Sequence, residues 1–130
     1  MQKYERRKFM HIETITYPDF NGVERTEKFY FNFTKAEIME LEISTDGGLS
    51  ETIKNIIDSN DAPALIKIFK DLILKAYGEK SADGKKFVKS DEISKAFSQT
   101  EAYSQLFIKL ATDADAAQKF VNGIIPSVSK

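Results

Sequence analysis

The sequence contains no cysteine, no tryptophan and a single histidine, His11. Without thiols the chain can form no disulfide bond, no thiolate metal site and no cysteine nucleophile. A lone imidazole cannot supply the clustered ligands of a zinc site, so we expect no metal site. No apolar run approaches the roughly twenty residues that a membrane-spanning helix needs. We therefore expect a protein without metal, disulfide or helical membrane span.

An excess of charge of one sign is also absent, since the sequence has 19 basic and 20 acidic residues. This balance argues against a protein that binds nucleic acid mainly by neutralising phosphates. Basic residues do cluster at residues 3–8 and at residues 80–89, but solvated surface charge is the simpler interpretation. A nucleic-acid-binding module that uses both clusters remains a third hypothesis, and it predicts binding that weakens steeply with added salt.

Catalytic and cofactor motifs are missing as well. The Asp83-Gly84 pair is followed by Lys85 and Lys86 where a calcium loop needs acidic ligands. The Gly47-Gly48 pair lacks the Lys and Ser/Thr partners of a phosphate-binding loop. The serines Ser50, Ser81 and Ser98 have no histidine base nearby in the sequence and lie in no nucleophile elbow. We therefore predict that the protein is not an enzyme, has no catalytic residues and binds no cofactor.

What the sequence does contain is enough apolar material for one core. Its 130 residues include ten Phe and five Tyr, with 42% apolar residues overall, which indicates a single domain spanning residues 1–130. Two β-prone segments flank Asn21-Gly22, a strong hairpin signal because both residues tolerate positive φ. Phe29, Phe31 and Phe33 recur at period two and should share the face of the second strand that meets the core. We predict a hairpin over about residues 9–33.

Capping and periodicity predict about five or six helices over residues 34–125. Thr34 and Glu37 form a capping box, and the helix that they begin should direct inward three residues: Ile38, Leu41 and Met39. The longest helix should cover about residues 64–77 and end at a left-handed Gly78. Ser90, Thr100 and Asp113 are expected N-caps of the later helices, Pro126 should end the last one, and residues 126–130 should form a flexible tail. The predicted fold class is α+β, mostly helical, with an N-terminal β-hairpin.

Candidate partner-binding residues come from the hairpin and from the polar segment of residues 78–89, which we interpret as a loop. Tyr17 and Tyr30 combine apolar area with a polar tip and are the candidates for exposed contacts in the hairpin. Lys80, Lys86 and Phe87 are the candidates in the loop. The hairpin also leaves an open strand edge, which predicts self-association.

Several segments together resemble a known family. They are YGEKSADGKKF at residues 77–87, Lys89-Ser90, FSQTEAY at residues 97–103, the segment from Ile12 to Glu42 that ends in FYFNFTKAEIMELE, and LATDADAAQKFVNGIIP near the end. Their order along a chain of this length resembles the tail assembly chaperones of long-tailed, siphovirus-type phages and prophages of Gram-positive bacteria.

This resemblance implies a non-structural protein that acts in the cytoplasm of the bacterial host and is absent from the mature virion. It implies binding to the tape measure protein, which the chaperone keeps soluble, and recruitment of tail tube subunits. Several copies act on one client in this family, which favours a homo-oligomer, and a longer product often arises by frameshifting. The alternative is a small regulatory or antitoxin-like adaptor that binds one protein. A position between a tail tube gene and a tape measure gene would favour the chaperone.

Overall fold

The computed structural model describes residues 10–125, apart from the side chain of Ser50. Four strands and six helices follow one another in these residues: β1 His11–Pro18, β2 Glu24–Phe31, α1 Lys35–Ser44, α2 Leu49–Ser59, α3 Ala62–Ala76, β3 Tyr77–Lys80, β4 Phe87–Val88, α4 Asp91–Ser98, α5 Glu101–Thr112 and α6 Ala114–Ile124. The predicted α+β class is confirmed. The basic cluster of residues 3–8, Pro126 and the expected tail of residues 126–130 lie outside the described part.

The strands form one sheet in the order β1-β2-β3-β4, and each pairs antiparallel with the next. The β1–β2 hairpin runs in register from His11↔Phe31 to Pro18↔Glu24. In its turn the Asp19 carboxylate accepts the backbone N–H groups of Asn21 (2.8 Å) and Val23 (2.9 Å). Gly22 has φ of 81°, whereas Asn21 is not among the residues with positive φ. The turn is where the sequence predicts it, but it uses glycine alone for the left-handed position.

The segment of residues 78–89, which we expected to be a loop, contains a second hairpin. Strand β3 pairs with β2 at Tyr30↔Gly78 and Phe31↔Tyr77, and it then pairs with β4. Gly78 is not a left-handed helix cap, because its φ is not positive. A Cβ on Gly78 would lie 2.8 Å from the Phe87 ring and 2.9 Å from the Val88 carbonyl oxygen. Glycine is required here for the close approach of two strands rather than for ending a helix.

Aromatic rings occupy the core between the sheet and the helices. Phe29, Phe31 and Phe33 are 8%, 0% and 3% exposed, so their predicted inward face is confirmed. The ring of Phe31 lies 5.8 Å from that of Phe97 and 5.4 Å from that of Phe120. Contacts between tilted rings at this distance stabilise a core beyond simple area burial.

Helix boundaries follow the predicted caps. The side chain of each expected N-cap accepts a backbone N–H from the first turn, and the residues are Thr34, Ser90, Thr100 and Asp113. Asp61 caps α3 in the same way. Thr34 and Glu37 complete the capping box. The longest helix, α3, buries Phe69, Leu72, Ile73 and Ala76, as its spacing predicts. The expectation for Met39 is wrong, because its side chain is 64% exposed while its neighbour Ile38 points into the core.

Candidate functional site

Tyr17, the first predicted contact residue, is not exposed. Its side chain is 7% accessible, and its ring lies 6.1 Å from that of Phe29 on the inner face of the hairpin. Its hydroxyl donates a hydrogen bond of 2.6 Å to the Glu27 carboxylate. That bond, together with burial, raises the pKa of the Tyr17 phenol. The prediction of exposure is wrong because residue type alone does not show which face of the strand the side chain occupies.

Tyr30 lies on the opposite, outer face of the sheet and is half-buried. It pairs with Ile12 of β1, which is 48% exposed, and with Gly78 of β3. The outer face therefore presents an apolar pair next to the junction of the two hairpins. A partner-binding role for Tyr30 stays a prediction.

Lys80 and Phe87 are brought together as cross-strand partners of the second hairpin. Lys80 and Lys86 are exposed, and Phe87 is half-buried against Gly78. The connecting turn is closed by the Asp83 carboxylate, which accepts from the Lys85 backbone N–H at 3.0 Å and from the Ser81 hydroxyl at 2.7 Å. These donors, in that order, lower the pKa of Asp83. The two lysines thus project from an ordered hairpin rather than from an irregular loop.

An open groove of about 740 Å³, which the sequence does not predict, lies beside α1. Helix α1 lines it with Leu41, Glu37 and Glu40, whereas α3 and α4 contribute Leu74, Lys75 and Lys95. Phe33 adds further apolar surface. The groove, which we call the α1–α4 groove, thus combines an apolar lining with acidic residues of α1, with Asp91 of α4, and with lysines of α3 and α4.

Lys89 lies at the end of the second hairpin and in the α1–α4 groove. Its Nζ is 3.0 and 3.1 Å from the two carboxylate oxygens of Glu37, and 4.6 Å from the centroid of the Phe33 ring. Burial lowers the pKa of Lys89, and the ion pair with Glu37 offsets only part of that effect. Because Glu37 Oε1 also accepts the Thr34 backbone N–H at 2.8 Å, one carboxylate joins the cap of α1 to the second hairpin.

Among the exposed large apolar side chains, two pairs of near neighbours stand out. Met39 (64%) and Ile43 (81%) are four residues apart on α1 and so share its outward face. Phe20 (77%) and Val23 (54%) lie in the turn of the first hairpin. Grouped exposed apolar residues mark protein-contact surfaces more often than isolated ones do.

Residues 10–125 contain no group of three or more His, Cys, Asp or Glu side chains that could hold a metal ion. Nor does any helix in this part of the chain have the length and apolar character needed to cross a membrane. His11 contacts Glu13 at 2.5 Å and packs edge-on against Phe120, so its ring takes part in joining β1 to α6.

Comparison with known proteins adds one positive result. A family model described as phage tail assembly chaperone matches residues 10–128, which is nearly the whole chain. No curated protein and no solved structure matches it.

Proposed function

Because the match covers nearly its full length, the chain belongs to the phage tail assembly chaperone family, and we propose that it binds the tape measure protein of its phage and keeps that protein soluble while the tail is built. In this proposal the chaperone acts in the host cytoplasm, recruits tail tube subunits and works by binding rather than by catalysis. The observation that carries the proposal is the α1–α4 groove, an open apolar surface flanked by charges.

The groove suits an amphipathic helix of a client. Leu41 and Leu74 offer apolar contacts of the kind that helix-in-groove recognition uses. Glu37 is already paired with Lys89, so Glu40 is the α1 residue that favours a basic residue on one flank of the bound helix. Lys75 and Lys95 favour acidic residues on the other flank. Such an arrangement selects the orientation of the client helix as well as its apolar stripe.

Met39 and Ile43 extend the apolar surface along the outward face of α1. An unbranched methionine adapts its shape to different partners, which suits a chaperone that meets many similar segments. Each contact can be weak, because many copies bound along one extended client gain strength through multivalency. The exposed Lys80 and Lys86, together with Tyr30, remain candidate contacts for the client or for the tail tube protein.

Co-expression tests the proposal. The tape measure protein of the same genome should be insoluble alone and soluble with the wild-type chaperone. The double variant Lys75→Glu/Lys95→Glu reverses two positive charges of the groove and should lower the soluble fraction several-fold. A matched control, Lys54→Glu/Lys70→Glu, makes the same change of charge at exposed helical positions that do not line the groove.

The possible results distinguish the α1–α4 groove from the second hairpin as the client-binding surface. A tape measure protein that stays insoluble with the wild-type chain would contradict the proposed function. If the groove variant and the control behave alike, the groove is not the binding surface. Lys80→Glu/Lys86→Glu then tests the second hairpin, and loss of binding in that variant alone would assign the client to it.

A further inference from the structure

The edge of β2 that faces β3 is paired with β3 over only part of its length. Strand β3 pairs with β2 at Tyr30 and Phe31 and then diverges, and within residues 10–125 no strand pairs with this edge over residues 24–29. The Asn32 N–H donates to the Ala76 carbonyl at 2.9 Å on the same side. Because backbone groups alternate along a strand, the N–H and C=O groups of Glu24, Thr26 and Lys28 also point to that side. Their edge is open to another strand.

The sequence along this open edge, Glu24-Arg25-Thr26-Glu27-Lys28, is complementary in charge to itself. In an antiparallel pair centred on Thr26, Glu24 of one copy lies opposite Lys28 of the other. Arg25 likewise lies opposite Glu27, and Thr26 lies opposite its own equivalent. Opposite charges on directly facing positions stabilise strand pairing, and like charges oppose it.

The outer edge of β1 lacks this property. An antiparallel pair centred on Thr14 would place Glu13 opposite Ile15 and Ile12 opposite Thr16, so no ion pair forms across it. Charge complementarity therefore distinguishes the edge of β2 from that of β1.

We propose that two copies of the chain pair through residues 24–28 of β2, antiparallel and about a two-fold axis at Thr26. The contact is isologous, so each copy offers the same surface to the other. The Thr26 pair and the two flanking Glu24–Lys28 pairs exchange about six main-chain hydrogen bonds. Arg25, which already contacts Asp19 (2.7 Å) and Glu27 (3.5 Å) of its own chain, joins this network to Glu27 of the second copy.

The same register accounts for the exposed apolar residues of the first hairpin turn. With Thr26 on the axis, Val23 of the second copy lies opposite Phe29, where β2 and β3 diverge. A cleft of about 690 Å³ opens there, and its lining includes Phe29, Tyr30 and Tyr77. The turn of the second copy, with its exposed Val23 and Phe20, is directed towards this cleft, whose lining also includes charged residues of β2 and β3.

A cross-linking experiment tests the axis. Because the chain has no cysteine, Thr26→Cys introduces one thiol per copy. Facing residues of a hydrogen-bonded antiparallel pair have Cα atoms about 5.5 Å apart, within the range that a disulfide spans. Under mild oxidation, Thr26→Cys should give mostly covalent dimer and the control Thr14→Cys, exposed on the same face of β1, mostly monomer. Equal cross-linking of the two variants, or none in either, would overturn the proposal.

Charge exchange tests the register with the purified chain alone, so its result is independent of any tape measure protein. Glu24→Lys places a lysine opposite Lys28 of the second copy, and Lys28→Glu places a glutamate opposite Glu24. Because each single variant brings like charges together, each should weaken dimerisation at least tenfold, as measured by analytical ultracentrifugation. The double variant, and an equimolar mixture of the two single variants, should restore it. The facing β1 residues, Pro18 and Thr14, are uncharged, so pairing within the chain is kept. A wild-type chain that is monomeric at high micromolar concentration, or a double variant as weak as the single ones, would refute the pairing.

Discussion

Replacing Phe69 by alanine should remove a large part of the stability of the domain. Phe69 lies on α3 and is 0% exposed, within the core that α3 shares with the sheet and the later helices. Loss of its ring removes the favourable transfer of the side chain from water and also leaves a cavity that the surrounding core fills only in part. The two effects together cost about 3–5 kcal/mol for a buried phenylalanine.

Ile66 provides the matched control, because it lies on the same helix three residues earlier and is 48% exposed. Only about half of its side chain is withdrawn from water, so Ile66→Ala should cost about 1 kcal/mol or less. A domain of ordinary stability has about 5–15 kcal/mol in total, so Phe69→Ala takes a large share of it and Ile66→Ala takes little.

Urea denaturation followed by far-ultraviolet circular dichroism measures both changes, since the chain lacks tryptophan but is rich in helix. The midpoint should fall clearly for Phe69→Ala with an unchanged slope, which shows that stability rather than compactness has changed. In a thermal scan the same variant should melt about 10–20 °C lower. A loss below about 1 kcal/mol, or one no larger than that of Ile66→Ala, would refute the placement of α3 against the core.

Two further predictions concern the sheet. Gly78→Ala should destabilise the chain by about 1–3 kcal/mol in the same urea assay. The new Cβ would lie 2.9 Å from the Val88 carbonyl oxygen, which is a backbone atom and cannot change rotamer to avoid it. An unchanged urea midpoint would contradict this close approach. Burial opposes ionisation of Glu13, but its hydrogen bond with His11 and the charge of Lys109 outweigh burial and lower its pKa below 4.5. The stability that Glu13 contributes is therefore complete above about pH 4.5 and is lost as the pH falls through the lowered value, so Glu13→Gln should flatten the acid side of a plot of unfolding free energy against pH.

Local signals in the sequence predicted the helices and the first hairpin well. The capping box of Thr34 and Glu37, the N-cap Ser90 and the alternation of Phe29 with Phe31 each act over a few residues, so the pattern carries the structure directly. The interpretation of Gly78 as a left-handed helix end is wrong, because local sequence cannot separate two common roles of glycine. Glycine is equally typical of a helix end and of a close strand contact, and only the position of β2 decides between them.

The candidate site was less predictable because it depends on contacts between distant positions. Lys89 and Glu37 are 52 positions apart, and nothing in either local sequence indicates their ion pair or the groove beside it. Tyr17 was expected to be exposed and is buried, whereas Met39 was expected to be buried and is exposed. Residue type gives a preference for the surface or the core, but burial depends on the face of the strand or helix on which the residue lies.

The order of the sheet also has a consequence for synthesis on the ribosome. Strand β2 pairs with β3 across three intervening helices, at Tyr30↔Gly78, and the Phe33 N–H donates to the Ile124 carbonyl at 3.1 Å. The first hairpin therefore emerges early, but it meets β3 only after residue 78 has been synthesised and α6 only after residue 124. Such long-range contacts slow folding, because a long loop must close before they form. Until then the nascent hairpin exposes Phe29 and Phe31, so part of the core stays open to aggregation until Ile124 has been synthesised.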